Sequence, residues 1–160
     1  MKKTSTIARV ALIAAIYTVA TIVFPVLSYG AVQLRLSESL SLLPMLFPEA
    51  VLGLTIGCFL ANTIGVFIGF SLPWDILIGT LATFFSALLT RKIRYLWLAP
   101  IPTIVFNALM VGTMLTYIIF PGVESAPLWY NIITVGAGQA IVCYVLGIPL
   151  FEVFKKISRK

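Results

Sequence analysis

The sequence predicts an all-α membrane protein, a single integral domain of six transmembrane helices over residues 1–160. Three observations predict it. First, the chain is 61% apolar and carries only 10% charged residues, where soluble domains carry about 25%. Its mean hydropathy is +1.10. So few charges cannot cover a compact soluble surface, and most of this surface faces lipid. Second, the apolar stretches suit a bilayer core, which takes about 20 residues per helix. Third, the basic residues gather in short clusters between those stretches, where they set orientation. These observations exclude a cytosolic enzyme and a disordered chain. They also exclude a nucleic-acid-binding domain, despite a formal charge of +6.

The first crossing is expected from about Ile7 to Leu27, with Pro25 marking its end. The second is short, about Leu36 to Phe47, and is interrupted by Pro44 and Pro48. About 12 residues reach only about 18 Å as an α-helix. That crossing is therefore tilted, partly re-entrant or shielded by its neighbours. The third runs from about Glu49 to Phe70, and Pro73 breaks the chain. The fourth runs from about Trp74 to Leu89, and the fifth from about Leu96 to Phe120, where Pro121-Gly122 ends it. The sixth runs from about Pro127 to Phe154.

Orientation follows from the basic clusters. Lys2, Lys3 and Arg9 flank the first helix; Arg91, Lys92 and Arg94 lie between the fourth and fifth; Lys155, Lys156, Arg159 and Lys160 close the chain. Six crossings put all three clusters and both termini in the cytoplasm, whereas an odd count scatters them. The opposite loops hold only Arg35, Glu38, Asp75 and Glu124. Lys2-Lys3 before an apolar run also suits a secretory signal. This run is longer than the usual signal core and lacks a small-x-small cleavage site, so it reads as a retained helix.

Small residues mark packing faces. Gly53, Gly57, Ala61, Gly65 and Gly69 recur every fourth position on the third helix. This is a smooth stripe for packing inside the bundle, with homodimerisation the lesser reading. Ala11 and Ala15 form a small-xxx-small pair on the first helix, which serves either internal packing or docking of a partner subunit.

The chemistry is narrowed by what is missing. There is no His, so imidazole-based metal and acid–base chemistry is excluded. Cys58 and Cys143 sit in apolar runs and read as small hydrophobes. No P-loop occurs, no carboxylate lies mid-helix in a long crossing, and no nucleophile–base pair or metal-ligand spacing is visible. The chain implies no cofactor and no enzyme activity, and any uphill movement draws its energy from another subunit.

The polar residues concentrate in Val32-Gln33-Leu34-Arg35-Leu36-Ser37-Glu38-Ser39. Arg35 and Glu38 are spaced to pair on one helix face. Charges where a chain enters the bilayer are costly unless paired or lining a wet cavity, so ligand contact is the competing reading. Asn62, Asn107 and Gln139 lie on three different helices. Each either bonds between helices or converges on a polar ligand, since an amide offers donors and an acceptor. Trp74, Tyr117, Trp129, Tyr130 and Tyr29 fall at outer helix ends. They form an aromatic belt or, with Trp74 beside Asp75 the best candidate, a stacking surface. Asp75 and Glu49 suit helix first turns.

At Val32 to Leu40 the chain resembles the QueT family, through the Gln-x-Arg-x-Ser-Glu motif. The resemblance covers essentially the whole chain. Ser39 departs from the Ala expected in the motif. The resemblance implies a substrate-capture S component of an energy-coupling-factor (ECF) transporter in the bacterial cell membrane. It implies a six-helix bundle whose pocket lies near the outer face, with the first outer loop as a lid. The Ala11–Ala15 face would dock on a transmembrane coupling subunit, and two ATPase subunits would supply energy. The implied ligand is a 7-deazaguanine, either queuine or a precursor with a nitrile or aminomethyl group. A guanine-type edge presents two adjacent N–H donors, which a carboxylate accepts. Glu38 is assigned that role, with Asp75 as runner-up. Gln33, Asn107 or Arg35 would meet the carbonyl oxygen and ring nitrogens, and Trp74 or Trp129 would stack on the base. The alternatives are an S component or stand-alone carrier for another vitamin-like solute and, less favoured, a membrane enzyme or assembly factor.

Overall fold

A computed structural model describes residues 2–29, 33–118 and 126–158. The expected fifth-helix end at Phe120 with Pro121-Gly122, and Val32, Glu124, Arg159 and Lys160, lie outside the described residues. Every secondary-structure element among the described residues is helical. Five helices are long and apolar enough to cross a membrane. They are α1 (Lys2–Ile22), α3 (Ala50–Phe67), α4 (Pro73–Thr90), α5 (Leu96–Tyr117) and α6 (Leu128–Ser158), with the short α2 (Pro25–Tyr29) after α1. This is a multi-pass membrane protein.

The first expected crossing is broken at residues 23–24 rather than continuous to Leu27. Pro25 disfavours helical backbone at the residue before it and then starts α2 as its first residue. The second expected crossing is a 3-10 helix, Leu36–Met45, not an α-helix. Its Ser39 hydroxyl donates to Leu36 O (2.7 Å), and Pro44 supplies no N–H, both of which weaken regular α-helical bonding. At about 2.0 Å per residue a ten-residue 3-10 helix reaches about 20 Å. It lies inside the bundle, with Ser37, Glu38, Ser41, Leu42 and Leu43 buried.

Glycine contacts fix how the helices run. A Cβ on Gly53 would strike Ile13, and one on Gly57 would strike Tyr17 and Ala14. The contacts ascend together, so α1 and α3 are parallel. The stripe on α3 therefore packs inside the bundle, as expected, but Gly69 is not part of it. Gly69 has φ +80° in the turn to α4, a conformation that favours glycine. α4 returns antiparallel, with Gly79 against Asn62. α5 runs antiparallel to α4, since Thr90 Oγ1 donates to Ala99 O (3.2 Å) and Phe85 stacks on Phe106 with centroids 6.0 Å apart. α6 is antiparallel to α5, with Gly112 against Ile132 and Gly136 against Ala108. The 3-10 helix and the chain just before it lie along α6, with Gln33 O against Gly138 and Ser39 O against Gly147. α5 and α6 each contain a π-helical stretch, Asn107–Val111 and Val142–Gly147, a distortion frequent at functional sites.

Candidate functional site

These registers bring buried polar groups to one level of the bundle. Tyr17 lies beside Gly57, one to two turns along α3 from the Asn62–Gly79 contact. The α3–α4 register carries that level to about Thr83. The α4–α5 register carries it to about Asn107, and the α5–α6 register to within a turn of Gln139. Glu38 reaches the same level, because Tyr17 donates its phenolic proton to Glu38 Oε1 (2.5 Å).

Glu38 is fully buried, and its Oε2 has no hydrogen-bond partner among the described residues. About one turn further along α3, the buried Arg35 donates through Nη2 to Asn62 Oδ1 (2.7 Å) and lies over the Tyr29 ring at 5.7 Å. Its Nε has no partner among the described residues. Asn62 is fixed in turn, its Nδ2 donating to Asp75 O (2.7 Å). No ion pair joins Arg35 to Glu38, contrary to the pairing their spacing suggests; those among the described residues are Arg9–Glu49 and Lys155–Glu152. The reason is local. Arg35 precedes the 3-10 helix with extended backbone (φ −74°, ψ 100°), so it is not on the helical face that carries Glu38.

The other residues singled out in the sequence divide into three groups. Gln33, Asn107 and Gln139 are buried and hold unpartnered atoms: Gln33 Oε1, Asn107 Oδ1 and both amide atoms of Gln139. Asn107 Nδ2 donates to Thr103 O (2.9 Å), which fixes its amide. Asn62 and Asp75 are framework. Asp75 Oδ2 accepts from Ser71 Oγ (2.8 Å) and from Leu72 N–H (2.9 Å), capping α4 and meeting an otherwise unpaired helix-end donor. Trp74 and Trp129 are not brought to the buried groups; they are 51% and 64% exposed on the outside of the bundle. Ala11 and Ala15 are exposed too, on the side of α1 away from the buried Ile13, Ala14 and Tyr17.

Sequence reasoning missed Tyr17, Thr80, Thr83 and Thr103. Thr80, Thr83 and Thr103 each have a buried hydroxyl without a partner among the described residues. Tyr17 looked like one aromatic in an apolar run, and threonines are common in membrane helices. Only a polar spacing on α4 and α5 (Thr80 with Thr83, Thr103 with Asn107) hinted at a shared face. Buried polar groups cost about 1–3 kcal/mol each when left unpaired. So many at one level make this layer the candidate site for a polar molecule. No group of three or more metal-binding side chains occurs among the described residues.

The family model described as QueT transporter matches residues 7–156. The chain belongs to the QueT transporter family. The queuosine precursor transporter QueT of Lactococcus lactis subsp. cremoris (strain MG1363) is 34% identical over 88 residues, 52% of this chain and 48% of that protein. The match thus spans about half the length of this relative. No solved structure matches the chain. In this QueT family member the recognisable motif supplies Gln33, Arg35 and Glu38, and the facing helices supply Thr83, Asn107 and Gln139.

Proposed function

We propose that this chain is the substrate-capture component of an energy-coupling-factor importer, and that it binds a queuosine precursor, a 7-deazaguanine base, within the polar layer. Family membership and the name of the relative support the substrate class. The observation that carries the reading is Glu38, a buried carboxylate held at one oxygen by Tyr17 and left open at the other. The N–H edge of the base meets Glu38. Gln33, Arg35, Asn107 and Gln139 meet its carbonyl and ring nitrogens. Tyr17, Asn62 and Asp75 position these groups rather than touch the ligand, and Trp74 and Trp129 remain belt residues. The chain binds and releases its ligand without catalysing a reaction.

The whole chain is one membrane domain with six crossings in the bacterial cell membrane, both termini cytoplasmic. The parallel α1 and α3 support the sixth crossing, since the chain between them has to return across the bundle through the 3-10 helix. The basic clusters then share the cytoplasmic side. The open Ala11–Ala15 face suits a transmembrane coupling subunit, with two ATPase subunits supplying energy.

Calorimetric titration of the purified chain in detergent tests the capture role. Expected is sub-micromolar binding of a 7-deazaguanine precursor and weak binding of guanine. A folded chain that binds no deazaguanine overturns the reading.

A further inference from the structure

We infer that the cleft between α1 and α6, toward the N-terminal end of α1, seats one acyl chain of an anionic phospholipid. The cleft holds about 160 Å³. Leu12 and Ile16 of α1 form one wall, Phe154 of α6 the other, and Leu40 and Leu43 of the 3-10 helix the floor. Among the described residues Arg9 is the single charged group that lines it, and Arg9 lies over the ring of Phe47, another lining residue. No unpartnered group of the polar layer lines the cleft, so the two sites are separate. The cleft follows from the chain. A ten-residue 3-10 helix reaches about 20 Å where the bilayer core is about 30 Å thick, so the floor cannot fill the space beside α1 along its whole length. α1 turns Ile13, Ala14 and Tyr17 into the bundle against α3. Leu12 and Ile16 are left 60% and 42% exposed, and the wall they form opens to lipid.

Lining, size and charge select the occupant. Water needs polar partners, and walls of Leu, Ile and Phe supply none. A helix, about 10–12 Å across with its side chains, is too wide for the space. A flexible chain of methylenes fits it and restores the dispersion contacts that an empty cleft forfeits. The charge at the mouth selects the headgroup. Arg9 donates through Nη1 to Glu49 Oε1 (2.9 Å), yet its side chain is 55% exposed. A guanidinium carries five N–H donors, so one carboxylate contact leaves others for a phosphate. Lys2 and Lys3 open the same helix, and Lys155 and Lys156 follow Phe154 on α6. Against these five bases stand two acids, Glu49 and Glu152, the second paired with Lys155 at 3.4 Å. The balance at this end is positive, and in the proposed orientation it faces the cytoplasmic leaflet, which carries anionic lipid.

The test is native mass spectrometry of the full chain in detergent, titrated separately with phosphatidylglycerol and phosphatidylcholine of identical acyl chains. One phosphatidylglycerol is expected to bind first, about fivefold more tightly than phosphatidylcholine. Arg9→Gln is expected to bring that ratio below about twofold and to leave phosphatidylcholine binding unaltered. Ile16→Trp fills the cleft from its exposed wall and is expected to weaken both lipids about tenfold, the equivalent of about two methylenes turned out. Both residues are exposed on α1, helix content by circular dichroism checks that each variant is folded, and each variant decides alone. Equal affinity for the two lipids in the unaltered chain overturns the site. So does an unchanged ratio in Arg9→Gln, or Ile16→Trp binding lipid as the unaltered chain does. A dimer that retains no lipid and is lost in Ile16→Trp also overturns it, giving the cleft to a second copy of the chain. None of these results bears on precursor binding in the polar layer.

Discussion

Near the N-terminal end of α1, Arg9 meets Glu49 at 2.9 Å, with side chains 55% and 15% exposed, and lies over the Phe47 ring at 5.5 Å. Toward the other end, Arg35 and Glu38 stand three residues apart, both buried, and do not pair. The first couple satisfies itself at the surface, where such a pair contributes about 0–1 kcal/mol. The second couple is divided among neutral partners: Asn62 and Tyr29 hold the guanidinium, and Tyr17 holds the carboxylate. Joining two buried opposite charges would favour the empty fold. Holding them apart sacrifices that stabilisation and leaves Arg35 Nε and Glu38 Oε2 free for a ligand. Under the proposed function, that separation is what a ligand would exploit.

Three substitutions probe this contrast, in descending order of effect. Glu38→Gln replaces an open acceptor with an amide whose N–H₂ opposes the donors of the base. Affinity for the precursor should fall about a hundredfold, or about 2.7 kcal/mol, in the same calorimetric titration. Unchanged affinity would remove Glu38 from the site. Asn62→Ala strips the buried guanidinium of its best acceptor and should lower stability by about 2–3 kcal/mol, read from thermal melting in detergent. A smaller loss would mean that Arg35 had found Glu38 instead, closing the divided couple. Arg9→Gln should cost about 1 kcal/mol or less and leave ligand binding unaltered.

The surface couple also predicts a pH dependence. Glu49 is held below the ordinary carboxylate value, first by its own backbone amide and then by Arg9, against the opposing effect of burial. A depressed carboxylate stabilises the fold above its unfolded value of about 4.3, and loses that contribution as pH falls through the lower folded value. Melting temperatures of the unaltered chain and Arg9→Gln should therefore converge in acid and separate above about pH 5.

Much of the bundle was legible in the sequence. Five of the six expected crossings appear as long apolar helices, and the first ends at Ile22, five residues short of Leu27, for a local steric reason at Pro25. The polar side chains singled out on the motif and on α3, α5 and α6 are all buried. The directions of several side chains were not legible. Trp74 beside Asp75 suggested a stacking floor, but a capped α4 leaves Asp75 facing inward and Trp74 outward. The spacing of Arg35 and Glu38 suggested a bridge, but that rule presumes helical backbone at both residues, and Arg35 is extended.

The sequence by itself determined that this chain lives in a membrane, roughly where it crosses, and which of its polar residues are too costly to face lipid. Those properties accumulate locally, from transfer energies summed over about 20 neighbouring residues. The tertiary structure alone decided which polar atoms satisfy one another and which stay open. Tyr17 and Glu38 are 21 residues apart, Arg35 and Asn62 27, and Asn62 and Asp75 13. A hydrogen bond forms only when donor and acceptor come within about 3 Å. The close approach of α1 to α3 at Gly57, and of α3 to α4 at Gly79, brings these distant residues together.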